Sequence, residues 1–254
     1  AWWEHMPVRL PAPSGPVMPI HRTIQVGDLL QMWLLDTRQF RSPIPDCSDT
    51  LDEPVLTGAP LVVACEDVLS EDRTMLGQQQ LDWLLAGLQE SSAQWNVIAQ
   101  QVLMASTGTI EGLPGPLALI DKWGGFQWER EKIMATLAAA ETPNPVILTG
   151  DFHAAGVGHI GAGNDHRQPV AVEFMAPPIG SRFSNRNAAL ADLVPRFPAV
   201  DYLEPYRGFA TCTVSAEGWK TVYWRVADVA DPESAVTPDS TWVLSAGESV
   251  AIRV

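Results

Sequence analysis

Cationic side chains are scarce in this sequence of 254 residues: Lys plus Arg number 16 against 30 for Asp plus Glu, a formal charge of -14. That balance excludes a nucleic-acid phosphate surface, which needs clustered Lys and Arg to displace counterions. It suits a bound cation, whose charge carboxylates neutralise. Cysteine is sparse too. Cys47, Cys65 and Cys212 form no C-x-x-C pair, which excludes a structural zinc knuckle and a thioredoxin-type motif. One disulfide with a free thiol, or three thiols, would satisfy the count. The apolar, strand-like flanks favour buried thiols at Cys65 and Cys212. No apolar run reaches the roughly 18 residues of a membrane-spanning helix. Nucleophile elbow, Walker and H-E-x-x-H motifs are missing as well. The opening Ala1-Trp2-Trp3-Glu4-His5-Met6-Pro7 has no basic and then apolar region, so it does not read as a signal peptide. Its abrupt aromatic start reads as that of a fragment or processed product.

What the sequence does hold is core-forming material. Apolar residues are 46% of the chain, with ten Trp and seven Phe. A chain of this length buries roughly 70–75% of its unfolded surface, and needs no disulfide staples. A Pro-rich opening segment leads to Asp28–Asp36, an apolar run that reads as a buried strand. Residues 42–60 read as a loop. From Thr74 to about Ser91 the period is helical, with Leu76, Leu81, Leu84, Leu85 and Leu88 near one face. Trp95–Met104 reads as a strand and the glycine-rich 106–125 as a loop. A second helix is predicted over 126–140, with Phe126, Arg130, Ile133, Met134 and Leu137 on one face, stopped by Pro143 and Pro145. Val146–Thr149 is a short buried strand. This alternation predicts a layered α/β sheet with both helices on one side. Beyond it, short strands are predicted at 169–176, 208–215, 219–227, 241–244 and 250–254, forming a largely antiparallel sheet against the first. Residues 177–205 read as irregular. The domain plan is a linker, strand and loop over 1–73, alternating helix and strand over 74–168, and mainly antiparallel strands over 169–254.

Four segments could carry chemistry. Gly150-Asp151-Phe152-His153 follows a buried strand, where ligands sit in α/β sheets. Asp151 and His153 offer a hard oxygen and an imidazole, a donor pair suited to calcium and to iron or zinc. A turn-capping Asp with a locally satisfied His explains the pair equally well. Asp36-Thr37-Arg38-Gln39-Phe40-Arg41 stands at the end of the first strand. Arg38 and Arg41 could hold a phosphate oxygen, although an Arg–Asp pair pinning the loop is the simpler reading. Asp121-Lys122-Trp123-Gly124-Gly125-Phe126 precedes the second helix, and Asp121 either caps it or faces the cleft. Gly156-Val157-Gly158-His159-Ile160-Gly161 is formally G-x-G-x-x-G, but it lies too far past its strand and opens no helix. It reads as a flexible loop with His159 and His166 in solvent, which leaves a dinucleotide site the least favoured reading.

Taken in order, these and other segments resemble the PhoD-like alkaline phosphatase family of metallophosphatases. The matching stretches are Trp2-Trp3-Glu4-His5-Met6-Pro7, Asp36–Arg41, Met75-Leu76-Gly77 with Gln80 and Trp83, and Trp95-Asn96-Val97-Ile98 with Gln101. Asp121 with Trp123, Gly125 and Phe126 follows, then Gly150–His153, Glu173-Phe174 and Arg207-Gly208-Phe209. The resemblance implies a metallophosphoesterase-like two-sheet sandwich flanked by helices. It implies metal-dependent phosphate-ester hydrolysis, by an alkaline phosphatase or phosphodiesterase, with iron and calcium as the expected metals. Asp151 and His153 then match the family's last metal-ligand pair. Gln100 or Gln101 stands where related enzymes place another ligand or phosphate contact. Arg38 and Arg41 are the candidate catalytic phosphate contacts, and Arg38 and Asp121 the candidate substrate contacts. Gly124 departs from the acid usual after the Trp, and Pro178 from a common Ser. The family's earlier motifs have no match, so an N-terminal half, as another segment, another chain or a partner copy, is expected to complete the sandwich. The isolated chain is expected to be inactive or nearly so, the alternative being a non-catalytic packing half with weak cation binding. A periplasmic or extracellular location is implied in the same way.

Overall fold

The computed structural model describes residues 2–47, 61–109, 116–162, 168–181 and 197–254. A helical turn, α1 (Trp2–His5), precedes the antiparallel pair β1 (Arg22–Val26) and β2 (Leu30–Leu34). Next come β3 (Leu61–Val63), α2 (Gln78–Glu90), β4 (Trp95–Ala99), β5 (Leu117–Leu119), α3 (Gln127–Ala139) and β6 (Pro145–Thr149). Five strands named from the second half are β7 (Ala155–Gly161), β8 (Pro169–Met175), β9 (Val200–Glu204), β10 (Gly208–Val214) and β11 (Gly218–Val226). The last two are β12 (Val236–Ser245) and β13 (Ile252–Arg253).

Seven strands form the main sheet in the order β1-β2-β4-β6-β8-β7-β9. β2, β4, β6 and β8 run parallel, while β1, β7 and β9 join by antiparallel pairing. Strand alternation sorts the apolar side chains into two cores. Trp33, Ile98 and Ile147 meet Leu81, Leu84 and Leu88 of α2 and Ile133, Met134 and Leu137 of α3. Their neighbours Val97 and Val146, with Trp95 and Phe174, meet Trp219, Tyr223, Trp242 and Leu244. The latter four belong to the antiparallel sheet β10-β11-β12-β13. The arrangement is three layers: helices, mixed sheet, antiparallel sheet. Both helices lie where their periodicity predicts. Arg130, on the apolar face of α3, is buried and donates from Nε to Met104 O at 2.8 Å.

Several expectations need correction. The second sheet begins at β10, because β8 and β9 complete the first one. The expected loop Gly156–Gly161 is β7, a strand buried along its whole length between β8 and β9. Its glycines serve close approach: a Cβ on Gly156 would lie 2.4 Å from Met175 Cε and 3.1 Å from the Tyr202 carbonyl oxygen. His159 is therefore buried. Its Nδ1 lies 2.7 Å from Asp201 Oδ2, and its Nε2 accepts the Ala251 N–H at 3.0 Å. His166 and the 48–60 loop lie outside the described residues. The strand from Trp95 stops at Ala99 rather than Met104, since the Gln100 side chain bonds both N and O of Val102 and closes a turn. Within the expected 106–125 loop, β5 pairs with β3. Cys65 is not a thiol: it forms a disulfide with Cys47, and Cys212 is the free, exposed cysteine. The Cys47 end lies in a small apolar cluster with Val68, Ala118 and Ile120.

Candidate active site at the carboxyl ends of three parallel strands

β2, β4 and β6 are adjacent and parallel, so the segments leaving their carboxyl ends share one edge of the sheet. After β2, Asp36 is 1% exposed. Its Oδ1 accepts N–H groups of Arg38 at 2.9 Å and Gln39 at 3.1 Å, which winds the chain into a turn. The buried Gln80 of α2 holds the same turn, accepting from Asp36 N at 2.8 Å and donating to Asp36 O at 2.9 Å. Arg38 leaves this turn and reaches Asp151, Nη2 to Oδ1 at 3.0 Å.

After β4 come the two glutamines. Gln101 Oε1 accepts Thr37 N–H at 2.9 Å and Thr37 Oγ1–H at 2.7 Å, and its Nε2 donates to Leu35 O at 2.8 Å. Gln100 Oε1 accepts from Val102 N at 2.9 Å and Trp123 Nε1 at 3.1 Å. Its Nε2 donates to Val102 O at 2.5 Å and Thr149 Oγ1 at 2.7 Å. Both amide oxygens thus have two donors each, which fills their acceptor capacity. In this arrangement the glutamines join loops to one another.

After β6, Asp151 and His153 both take left-handed backbone angles, φ 61° and 60°. Such angles cost of order 1–3 kcal/mol each and cluster at functional sites. Phe152 between them is buried, while Asp151 and His153 are exposed. The apolar residue anchors the turn and the two polar ones face outward.

A fourth loop completes the group. Lys122 Nζ pairs with Asp151 Oδ2 and lies 3.3 Å from Asp121 Oδ2. The Asp151 carboxylate is therefore held between Arg38 and Lys122. Sequence reasoning missed Lys122, although its position beside Asp121 was the available signal. Asp121 offers its backbone oxygen to Arg41 Nη1 at 3.0 Å, and its Oδ1 is buried without a hydrogen-bond partner among the described residues. Arg41 thus pins the Asp121 loop, whereas Arg38 stands at the carboxylate. An open cavity of about 400 Å³ lies along the same strand ends, bordered by Arg22, Leu35, Gln100, Gln101 and Thr149. Among the described residues no group of three or more His, Cys, Asp or Glu could hold a metal ion.

A layered α/β protein with charged residues gathered at the carboxyl edge of its parallel strands has the ligand-site layout of open α/β folds. The comparisons narrow that class. The chain belongs to the PhoD-like phosphatase family, whose model matches residues 1–223. It is 29% identical over 250 residues to alkaline phosphatase D of Bacillus subtilis (strain 168), which covers 96% of this chain and 40% of that protein. A solved structure of PhoD matches with a TM-score of 0.81 and 27% identity, over 100% of this chain and 47% of the solved one. The chain spans less than half the length of the relatives it matches.

Proposed function

We propose that these residues form part of a metal-dependent phosphate-ester hydrolase with a metallophosphoesterase-like two-sheet core. The observation that carries the reading is the convergence of Arg38, Lys122 and Asp151 from three loops, beside His153. Asp151 and His153 fit a metal by donor chemistry, a hard oxygen and an imidazole on one exposed turn, and iron and calcium are the metals proposed. A metal takes roughly four to eight ligands, so these two supply only part of a coordination sphere. Water, substrate oxygens and residues outside the described ones would supply the rest. The bound metal would lower the pKa of a water and offset charge on the phosphoryl group.

The remaining chemistry belongs to the chain's own side chains. Arg38 is nearly half exposed at 45%, and its planar fork can turn from Asp151 to a phosphate oxygen. Lys122 adds a point charge on the other side of the carboxylate. Arg41 and Asp121 set the position of the Lys122 loop. Gln100 and Gln101 act through their neighbours, because both amides are already committed. A phosphate monoester or diester is the proposed substrate. The Cys47–Cys65 disulfide supports a periplasmic or extracellular location, since such bonds persist in oxidising compartments. The second reading, a non-catalytic portion with weak cation binding, draws on the lack of a three-donor group among the described residues. A nicotinamide site at Gly156–Gly161 is excluded, because that segment is a buried mid-sheet strand.

The test is Asp151→Asn and His153→Ala in the natural polypeptide carrying these residues. Metal content and p-nitrophenyl phosphate turnover should both fall, with folding little changed because the two side chains lie in an exposed turn. Unchanged metal content in both variants refutes the reading.

A further inference from the structure

Beneath the site runs a hydrogen-bond chain in which every donor points the same way. Trp123 Nε1 donates to Gln100 Oε1 at 3.1 Å. Gln100 Nε2 donates to Thr149 Oγ1 at 2.7 Å. Thr149 Oγ1 donates to Glu173 Oε1. The Glu173 carboxylate, 0% exposed, also accepts the N–H groups of Met104 at 2.9 Å and Ala105 at 2.7 Å. The members sit on β8, β6, the turn after β4 and the short 3₁₀ turn Trp123–Gly125. Three of the four adjoin a site segment: Thr149 lies two residues before Asp151, Trp123 follows Lys122, and Gln101 next to Gln100 holds Thr37 beside Arg38.

From this placement we infer that Glu173, acting through Thr149 and Gln100, is the positioning residue that sets Asp151, Lys122 and Arg38 at their working separations. The inference rests on the functional reading above. The direction of the chain is its physical basis. A carboxylate accepts only, so it can end a run of donors without competing for one. Thr149 has a single hydroxyl proton, which goes to Glu173 because its other side already receives the Gln100 amide. Reversing any link would set two donors face to face among buried side chains. Burial pushes the Glu173 carboxyl above its ordinary range, and the bonds from Thr149, Met104 and Ala105 oppose that push. The buried Arg130 contributes a favourable charge from α3. The network is therefore a fully satisfied brace running under three loops, each carrying one charge of the site.

The experiment uses Thr149→Val, Thr149→Ser, Glu173→Gln and Asp151→Asn in the natural polypeptide. Calcium binding by calorimetry, near-ultraviolet circular dichroism, and kcat and KM for p-nitrophenyl phosphate are the readouts. Residues that orient metal ligands typically change metal affinity or activity by roughly 10–100-fold when removed. Thr149→Val and Glu173→Gln should weaken calcium binding and lower kcat on that scale, with the aromatic spectrum intact and KM little moved. Thr149→Ser keeps the hydroxyl and should restore both. If Glu173→Gln fails to fold, the Thr149 pair decides. A folded Thr149→Val that binds calcium and turns over like the parent, while Asp151→Asn loses both, overturns the inference and spares the functional reading. Full calcium binding by Asp151→Asn overturns both.

Discussion

Glu129 of α3 is a carboxylate buried to 1% exposure, yet its partners lie far away in sequence, at the turn that precedes α2. Its Oε2 accepts Met75 N–H, and its Oε1 accepts Thr74 Oγ1–H at 3.0 Å and Leu76 N–H at 3.3 Å. Met75 and Leu76 are themselves 0% exposed. Replacement by Ala strands both N–H groups away from water, at about 1–3 kcal/mol each, or about 2–6 kcal/mol together. Replacement by Gln keeps one oxygen for Met75. Its amide NH2 can face the Thr74 hydroxyl, which has a lone pair to offer, leaving Leu76 as the main loss, about 1 kcal/mol. The expected order in urea unfolding is parent, then Glu129→Gln, then Glu129→Ala, with a clear gap between the variants. The pH dependence has a definite sign. Burial, opposed by the Met75, Thr74 and Leu76 bonds, raises the Glu129 pKa above 4.5. The folded state then holds this proton more tightly than the unfolded state. Its contribution is full below 4.5 and declines as pH rises through the raised value. The stability difference between parent and Glu129→Gln should therefore be largest at acid pH and shrink towards neutrality. Equal unfolding midpoints for Glu129→Ala and Glu129→Gln, or a difference that grows with pH, would refute the assignment.

Two further outcomes are expected. A Cβ at Gly125 would stand 2.1 Å from the Ile120 carbonyl oxygen, so Gly125→Ala must displace the turn that carries Lys122; soluble yield and thermal midpoint should both fall, and a variant as stable as the parent would contradict the close approach. Reduction of Cys47–Cys65, which closes an 18-residue separation, should lower stability by about 3 kcal/mol, read as the shift in urea midpoint with and without dithiothreitol.

The helices and the three site-bearing strands were legible because each has a single strong period or a short apolar run with clear stops. Arg130 is a case in point. It reads as part of the apolar face of α3, and it is buried there because Met104 O accepts its Nε. The meeting of Asp36–Arg41 and Gly150–His153 at one edge of the sheet was legible from their place after buried strands. β7 was not legible, because Gly156, Gly158 and Gly161 read as turn formers, whereas Met175 and Tyr202 crowd a side chain at Gly156, and Ala199 and Ala105 crowd one at Gly158. His159 was misplaced for the same reason. The roles of β8 and β9 depend on which strand each pairs with, a long-range property that local pattern does not carry. Lys122 was overlooked because its partner Asp151 lies 29 residues away. The pairing of Cys47 with Cys65 depends on the same kind of tertiary proximity, here at β3 and β5.

The burial of β7 also bears on the order of assembly. β2, β4 and β6 pair with strands already made when each emerges from synthesis, so the site edge of the sheet can form in sequence order. β7 cannot follow that order. Both of its neighbours, β8 and β9, come later in the chain, and contacts closed over longer loops form more slowly. Until Val200–Glu204 is available, the Ala155–Gly161 segment has at most one side of its backbone paired. An incompletely paired strand is a template for another chain. A ribosome-bound or truncated polypeptide ending before β9 would therefore carry its site loops in place and a sticky edge beside them, with self-association as the competing fate.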